Sequence, residues 1–150
     1  MITQTKFRYI FILISLLLLL TACQKSNTPE ISIQNPWGRP SPKVATAGAF
    51  YMIVKNSGAM ADTLLSVSSP SCGVVELHES YMTEEGAMGM RPVEAGIEVP
   101  AGGQAELKMG GLHIMCIDKL DDFEVGAVLP LTLTFEKSGD ITIDIEIREP

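Results

Sequence analysis

The chain has 150 residues, with 18 Asp and Glu against 11 Lys and Arg and a formal net charge of −7. That length allows one domain with a short appendage, and 46 % hydrophobic residues exclude a disordered chain. The acidity argues against a nucleic-acid partner, which needs clustered Lys and Arg, and 6 % aromatics leave no base-stacking surface.

The first element is an export signal. Lys6 and Arg8 form a positive start, and the apolar run Tyr9–Leu20 follows, broken only by Ser15. Its 12 residues fall short of the roughly 20 that a membrane-spanning helix needs and suit a secretory core segment. Leu20-Thr21-Ala22-Cys23 resembles the bacterial lipobox, in which cleavage precedes the Cys and its thiol takes the lipid. The plainer alternatives are an ordinary signal peptide with an incidental Cys and an uncleaved anchor. The expected plan is a signal peptide over 1–22, lipidated Cys23 with a flexible tether over 23–35, and one domain over 36–150. Removing 1–22 takes away two cations and no acid, so the mature chain is more acidic still. A lipid would hold it on a membrane in an oxidising compartment. That is the periplasmic face, of the outer membrane in a Gram-negative cell because Gln24 follows the Cys, or the cell surface.

Beyond the tether, which ends in the alternating pair Ile31 and Ile33, the chain reads as β. Phe50–Val54 closes at Asn56-Ser57-Gly58, Leu64–Val67 at Ser68-Ser69-Pro70, and Val74–His78 follows. Ile97–Val99 and Ala105–Lys108 flank Pro100-Ala101-Gly102-Gly103, and Leu112–Ile117 comes after Gly110-Gly111. Leu131–Glu136 and Ile141–Ile147 flank a hairpin loop at Lys137-Ser138-Gly139-Asp140. Ile141, Ile143, Ile145 and Ile147 alternate with polar residues, the mark of a half-buried strand. Helical periodicity is confined to a weak turn near Leu120–Phe123. About eight short strands at this spacing predict an all-β sandwich or barrel.

Chemistry concentrates in one window. Five of the eight methionines lie between Met82 and Met115, and the two histidines, His78 and His113, bracket nearly the same stretch. On a strand, His113 and Met115 share a face, with Cα atoms about 6.6 Å apart. Met88-Gly89-Met90 has the same spacing, with Gly89 giving backbone freedom. His78 shares parity with Glu76, away from Val75 and Leu77. Imidazole with thioether suits Cu(I) and serves Zn(II), Ca(II) and Mg(II) poorly. Thioethers also escape the disulfide chemistry that consumes thiols in an oxidising compartment. A single Met on a strand is ordinarily core filler; the clustering is what argues for metal.

The stretch His78…Met90…His113-x-Met115 resembles the PCu(A)C-type periplasmic copper chaperones. Their pattern is a His, usually next to a Met, ten residues, a Met, about twenty-one residues, and His-x-Met. Here Glu79 stands in the adjacent Met position, and the second spacer, 91–112, is one residue longer. The flanks are similar too: Trp37-Gly38-Arg39-Pro40, Ala49-Phe50-Tyr51, Val75-Glu76-Leu77-His78, Met90-Arg91-Pro92-Val93, Glu98-Val99-Pro100-Ala101-Gly102-Gly103 and Leu131-Thr132-Leu133-Thr134-Phe135. The resemblance spans about 35–147. It implies a cupredoxin-like Greek-key β-sandwich or barrel that binds Cu(I) through His78, Met90, His113 and Met115, with Met88 as an alternative to Met90 and Met82 as a spare thioether in a flexible 79–89 segment. It also implies a chaperone that passes copper to a cytochrome c oxidase subunit with Sco-type proteins as partners. An enzyme is not expected, with only two histidines and no Gly-x-Ser-x-Gly elbow or phosphate loop.

Cys72 and Cys116 lie outside that pattern. Three readings stand: two buried small residues, a disulfide, or a thiolate joining the copper set. Parity sets Cys116 opposite His113 and Met115. An electron-transfer blue-copper protein is the first rival, although its His₂Cys site ordinarily has His and Met after the Cys. A structural surface lipoprotein with no metal is the second.

Overall fold

The computed structural model describes residues 27–150. The signal segment 1–22 and Cys23 lie outside the described residues. Ten strands run in chain order: β1 (Ile31–Gly38), β2 (Ala47–Asn56), β3 (Asp62–Ser68), β4 (Cys72–Met82), β5 (Met88–Pro92), β6 (Ile97–Val99), β7 (Gln104–Leu107), β8 (Leu112–Lys119), β9 (Val128–Phe135) and β10 (Gly139–Glu146). They form two antiparallel sheets. The first has the order β1-β2-β8-β4-β5, with β7 also on β2, and the second has β10-β9-β3-β6. No helix occurs among the described residues. The all-β sandwich expected from the sequence is the fold, and Leu120–Phe123 is not helical.

Period-two burial builds the core. From the first sheet, Phe50, Met52 and Val54 of β2, Leu77 of β4 and Ile114 and Cys116 of β8 face inward. They meet Leu64 of β3, Leu131, Leu133 and Phe135 of β9 and Ile145 of β10. The space between β8 and β9 is closed by Phe123, whose ring packs on Gly48; a Cβ there would overlap it. Its centroid lies 5.3 Å from that of Phe50.

Two expectations about segment boundaries change. Residues 31–35, assigned to the tether, are mostly paired, with Ile31 opposite Asn56 and Ile33 opposite Val54. The buried Asn56 side chain fixes the entry to β1. It accepts from the Glu30 and Gly58 amides at 3.0 Å each and donates to the carbonyls of Met60 at 2.8 Å and Val99 at 3.2 Å. A register shift between Gln34 and Trp37, with Asn35 at φ 48°, then turns Trp37 opposite Tyr51. The second change is at 79–89. β4 runs on to Met82 and pairs with β5, so Ser80 opposes Met90 and Met82 opposes Met88. Gly89 is not among the positive-φ residues. It supplies room rather than freedom, since a Cβ there would lie 2.6 Å from the Tyr81 ring.

Asp62 fastens the β9–β10 turn to β3. Its buried carboxylate accepts from the amides of Thr63, Lys137 and Ser138 at 2.8–2.9 Å and from the Ser138 hydroxyl at 2.6 Å. Burial pushes its pKa up, but the Ser138 hydroxyl and the three amides outweigh this and hold it below 3.8. A depressed carboxyl stabilises the fold above its unfolded-state pKa and loses that contribution as pH falls through the lower folded value. Asp62→Ala, which strands these donors, should cost about 2–3 kcal/mol at pH 7. The deficit should shrink below about pH 4. Urea unfolding at both pH values measures it.

Candidate metal centre

The antiparallel register of β4 and β8 sets His78 directly opposite His113 and Glu76 opposite Met115. All four side chains therefore share the outer face of the first sheet, because directly paired residues point the same way. The imidazole centroids are 5.8 Å apart, with the rings tilted 67°. Metal–imidazole bonds are about 2 Å, so one ion could reach both rings. His78 is 9 % exposed and His113 5 %.

Each ring has one nitrogen committed. His78 Nε2 lies 2.7 Å from Glu76 Oε2, and His113 Nδ1 lies 3.0 Å from the Gly111 carbonyl oxygen. An ionised carboxylate and a carbonyl only accept, so these two nitrogens donate. In the neutral rings, His78 Nδ1 and His113 Nε2 keep their lone pairs. His78 Nδ1 is buried without a hydrogen-bond partner. An orphaned acceptor beside a second imidazole suits metal ligation, and the Glu76 hydrogen bond is the support that orients a ligating histidine.

Thioethers flank the pair on both sides along the strands. Met115 lies one pleat from His113 on β8, between Glu76 of β4 and Ala49 of β2. Met90 lies on β5 opposite Ser80, one pleat the other way from His78. Met90, His113 and Met115 line one cleft of about 450 Å³ together with Met109 and Tyr51. Tyr51 backs His113, with centroids 6.4 Å apart, and Trp37 covers Tyr51 at 4.7 Å. Burial pushes the Tyr51 hydroxyl above its usual pKa, although Arg39 opposes this.

The structure thus brings His78, Met90, His113 and Met115 to one face. Met88 and Met82 share that face but lie farther out, paired with each other near the β4–β5 turn. Cys72 and Cys116 are joined by a disulfide with Cα atoms 5.5 Å apart. Cys116 is fully buried in the core. Among the described residues, a blue-copper centre therefore lacks its thiolate. Among the described residues, no three His, Cys, Asp or Glu side chains form a metal-holding group, so imidazole with thioether is the candidate donor set.

Two further side chains lie at this face, Glu76 bonded to His78 and Met109 lining the cleft. Glu76 shares parity with His78, a signal read only as exposure and not as a hydrogen-bond partner. Met109 was inside the methionine window, but its place on the turn from β7 to β8 gave no periodic cue.

The same two-sheet sandwich is found in solved PCuAC domains. The chain belongs to the LpqE-like family, described as "Putative lipoprotein LpqE-like", whose profile matches residues 31–147. The apo PCuAC domain from PmoF1 is similar at 28 % identity and a TM-score of 0.68, over 80 % of this chain and 94 % of that one. The copper-bound PCuAC domain from PmoF2 is similar at 27 % and 0.66, over 85 % and 100 %. A relative from Leifsonia xyli subsp. xyli, named "Putative lipoprotein Lxx21020", is 25 % identical over 79 % of this chain and 70 % of its own length.

Proposed function

We propose that the protein is an extracytoplasmic Cu(I) carrier that binds one ion through His78, Met90, His113 and Met115 and passes it to a copper-accepting protein. The observation that carries this reading is the opposed His78–His113 pair, with one nitrogen of each ring tied off and thioethers on either side. Four neutral donors hold a monovalent soft cation without bringing in a compensating charge. Protons compete for the same lone pairs, so affinity falls on acidification. Met90 is 56 % exposed, which leaves that side of the ion open to attack by a recipient's ligand. Transfer then proceeds by stepwise ligand exchange. Lipidation at Cys23, after removal of 1–22, would confine the search for recipients to a membrane surface. By family resemblance the recipients are a cytochrome c oxidase subunit and Sco-type proteins.

The test is anaerobic Cu(I) titration of the full chain in detergent against a chromophoric chelator. We expect one tightly held ion, and the Met90→Leu/Met115→Leu variant should lose more than about 100-fold in affinity. Unchanged affinity in that variant would leave the thioethers as packing only.

Glu76 should act through His78. Glu76→Ala should lower Cu(I) affinity about tenfold, within the range for groups that orient a ligating histidine. Glu76→Gln keeps an oxygen that accepts from Nε2 and should recover most of the loss. Titrating both variants beside their urea midpoints separates positioning from folding.

A further inference from the structure

The exposed methionines of the β4–β5 hairpin are not accounted for by packing. Met82 is 63 % exposed, Met88 64 % and Met90 56 %, so none fills the core. Scattered exposed apolar residues are ordinary, but these are grouped on one face. Met82 opposes Met88 across the ladder, Met90 opposes Ser80 one pleat inward, and His78 opposes Pro92 one pleat further. Directly paired side chains have Cβ atoms about 5 Å apart, and successive pleats on one strand repeat about every 6.6 Å. A methionine has three rotatable bonds before its methyl group, which covers such gaps. The face thus carries soft donors in unbroken succession from the hairpin tip to the two imidazoles.

The tip itself is ordered and acidic. The Thr83 amide donates to the Ala87 carbonyl at 2.8 Å, the Gly86 amide to the Thr83 carbonyl at 3.0 Å, and the Ala87 amide to the Thr83 hydroxyl at 3.2 Å. Glu84 and Glu85 are exposed on this turn, between Met82 and Met88. Carboxylates there raise the local cation concentration within a Debye length, about 8 Å at physiological ionic strength.

We propose that Met82 and Met88 form a second, outlying Cu(I) site, with Met90 as the thioether shared between it and the His78–His113 centre. The proposal rests on the copper-carrying reading above and adds a route to it. An ion arrives on the Met82 and Met88 sulfurs and binds Met90. It then exchanges the two outer sulfurs for His78 Nδ1, His113 Nε2 and the Met115 sulfur. Two of the three new copper–ligand bonds form as the two outer copper–sulfur bonds break, and the third raises the coordination from three to four while Met90 stays bound. Copper stays Cu(I), and no electron moves. Release follows the same steps in reverse. An apolar patch for docking a protein would need hydrophobic area but not sulfur, so leucine separates the two readings.

The experiment is anaerobic, time-resolved Cu(I) exchange between the full chain and bicinchoninate, for wild type, Met82→Leu/Met88→Leu and His113→Gln. The double leucine variant should keep the wild-type affinity. Its loading and unloading should slow by one common factor of at least about fivefold, because an intermediate site changes the barrier and not the end states. As a second measurement, the His78→Gln/His113→Gln variant carrying ¹³C-methyl methionine should still show Cu(I)-induced shifts at Met82, Met88 and Met90 and none at buried Met52. Wild-type rates in the double leucine variant, with His113→Gln weakened, would overturn the outlying site alone. Absent binding in the wild type, or wild-type affinity in His113→Gln, would overturn the copper reading and this proposal with it.

Discussion

Replacing His113 with Gln will weaken Cu(I) binding by more than about 100-fold, beyond the 10–100-fold that loss of a merely supporting group costs. His113 is buried, and its Nδ1 already donates to the Gly111 carbonyl. A glutamine amide can make that same donation, so the backbone of the turn from β7 to β8 keeps its partner. What it cannot supply is the imidazole lone pair at Nε2. The loss should therefore be confined to metal affinity, with little change in the urea midpoint. Competition against a Cu(I) chelator reads the affinity, and a loss smaller than tenfold would remove His113 from the ligand set. Met52→Leu is the control. Met52 lies in the core at 2 % exposure and should bind copper as the wild type does.

The largest stability effect should come from Cys72→Ser/Cys116→Ser. The bridge joins β4 to β8 across a sequence separation of 44. By the chain-entropy account, releasing a loop of that length costs about 4 kcal/mol. That is a large share of the roughly 5–15 kcal/mol typical of whole domains. Two buried hydroxyls in place of sulfur add to the loss. The urea midpoint should fall accordingly, and dithiothreitol should destabilise the wild type toward the variant. Copper affinity should change far less while the variant stays folded. The register that opposes His78 to His113 is carried by the ladder from Cys72–Lys119 to Glu79–Leu112 and not by sulfur alone. A midpoint unmoved by both changes would show that the bridge contributes nothing to stability.

Several strands were legible for a simple reason. Ile141, Ile143, Ile145 and Ile147 alternate without interruption, and the last two are fully buried. β5 was not legible. Met88-Gly89-Met90-Arg91-Pro92 has no β-branched residue and ends in Pro, which suits an edge strand poorly advertised by propensity. It is a strand because β4 extends past His78 and offers it a ladder. β1 begins with only Ile31 and Ile33 as apolar cues before Asn35-Pro36. Its pairing depends on Asn56, a residue distant in sequence that holds the Glu30 amide.

Side-chain type and a period of two were enough to read the candidate donor set, the β character and which residues of one strand share a face. That β4 lies beside β8 in the register that opposes the two histidines, that Glu76 fixes one ring, and that Cys116 turns into the core to meet Cys72 became visible in the folded chain alone. Local pattern repeats every two residues and is blind to which distant strand becomes a neighbour. That choice is made by the burial of two sheets against each other, a property of the whole chain.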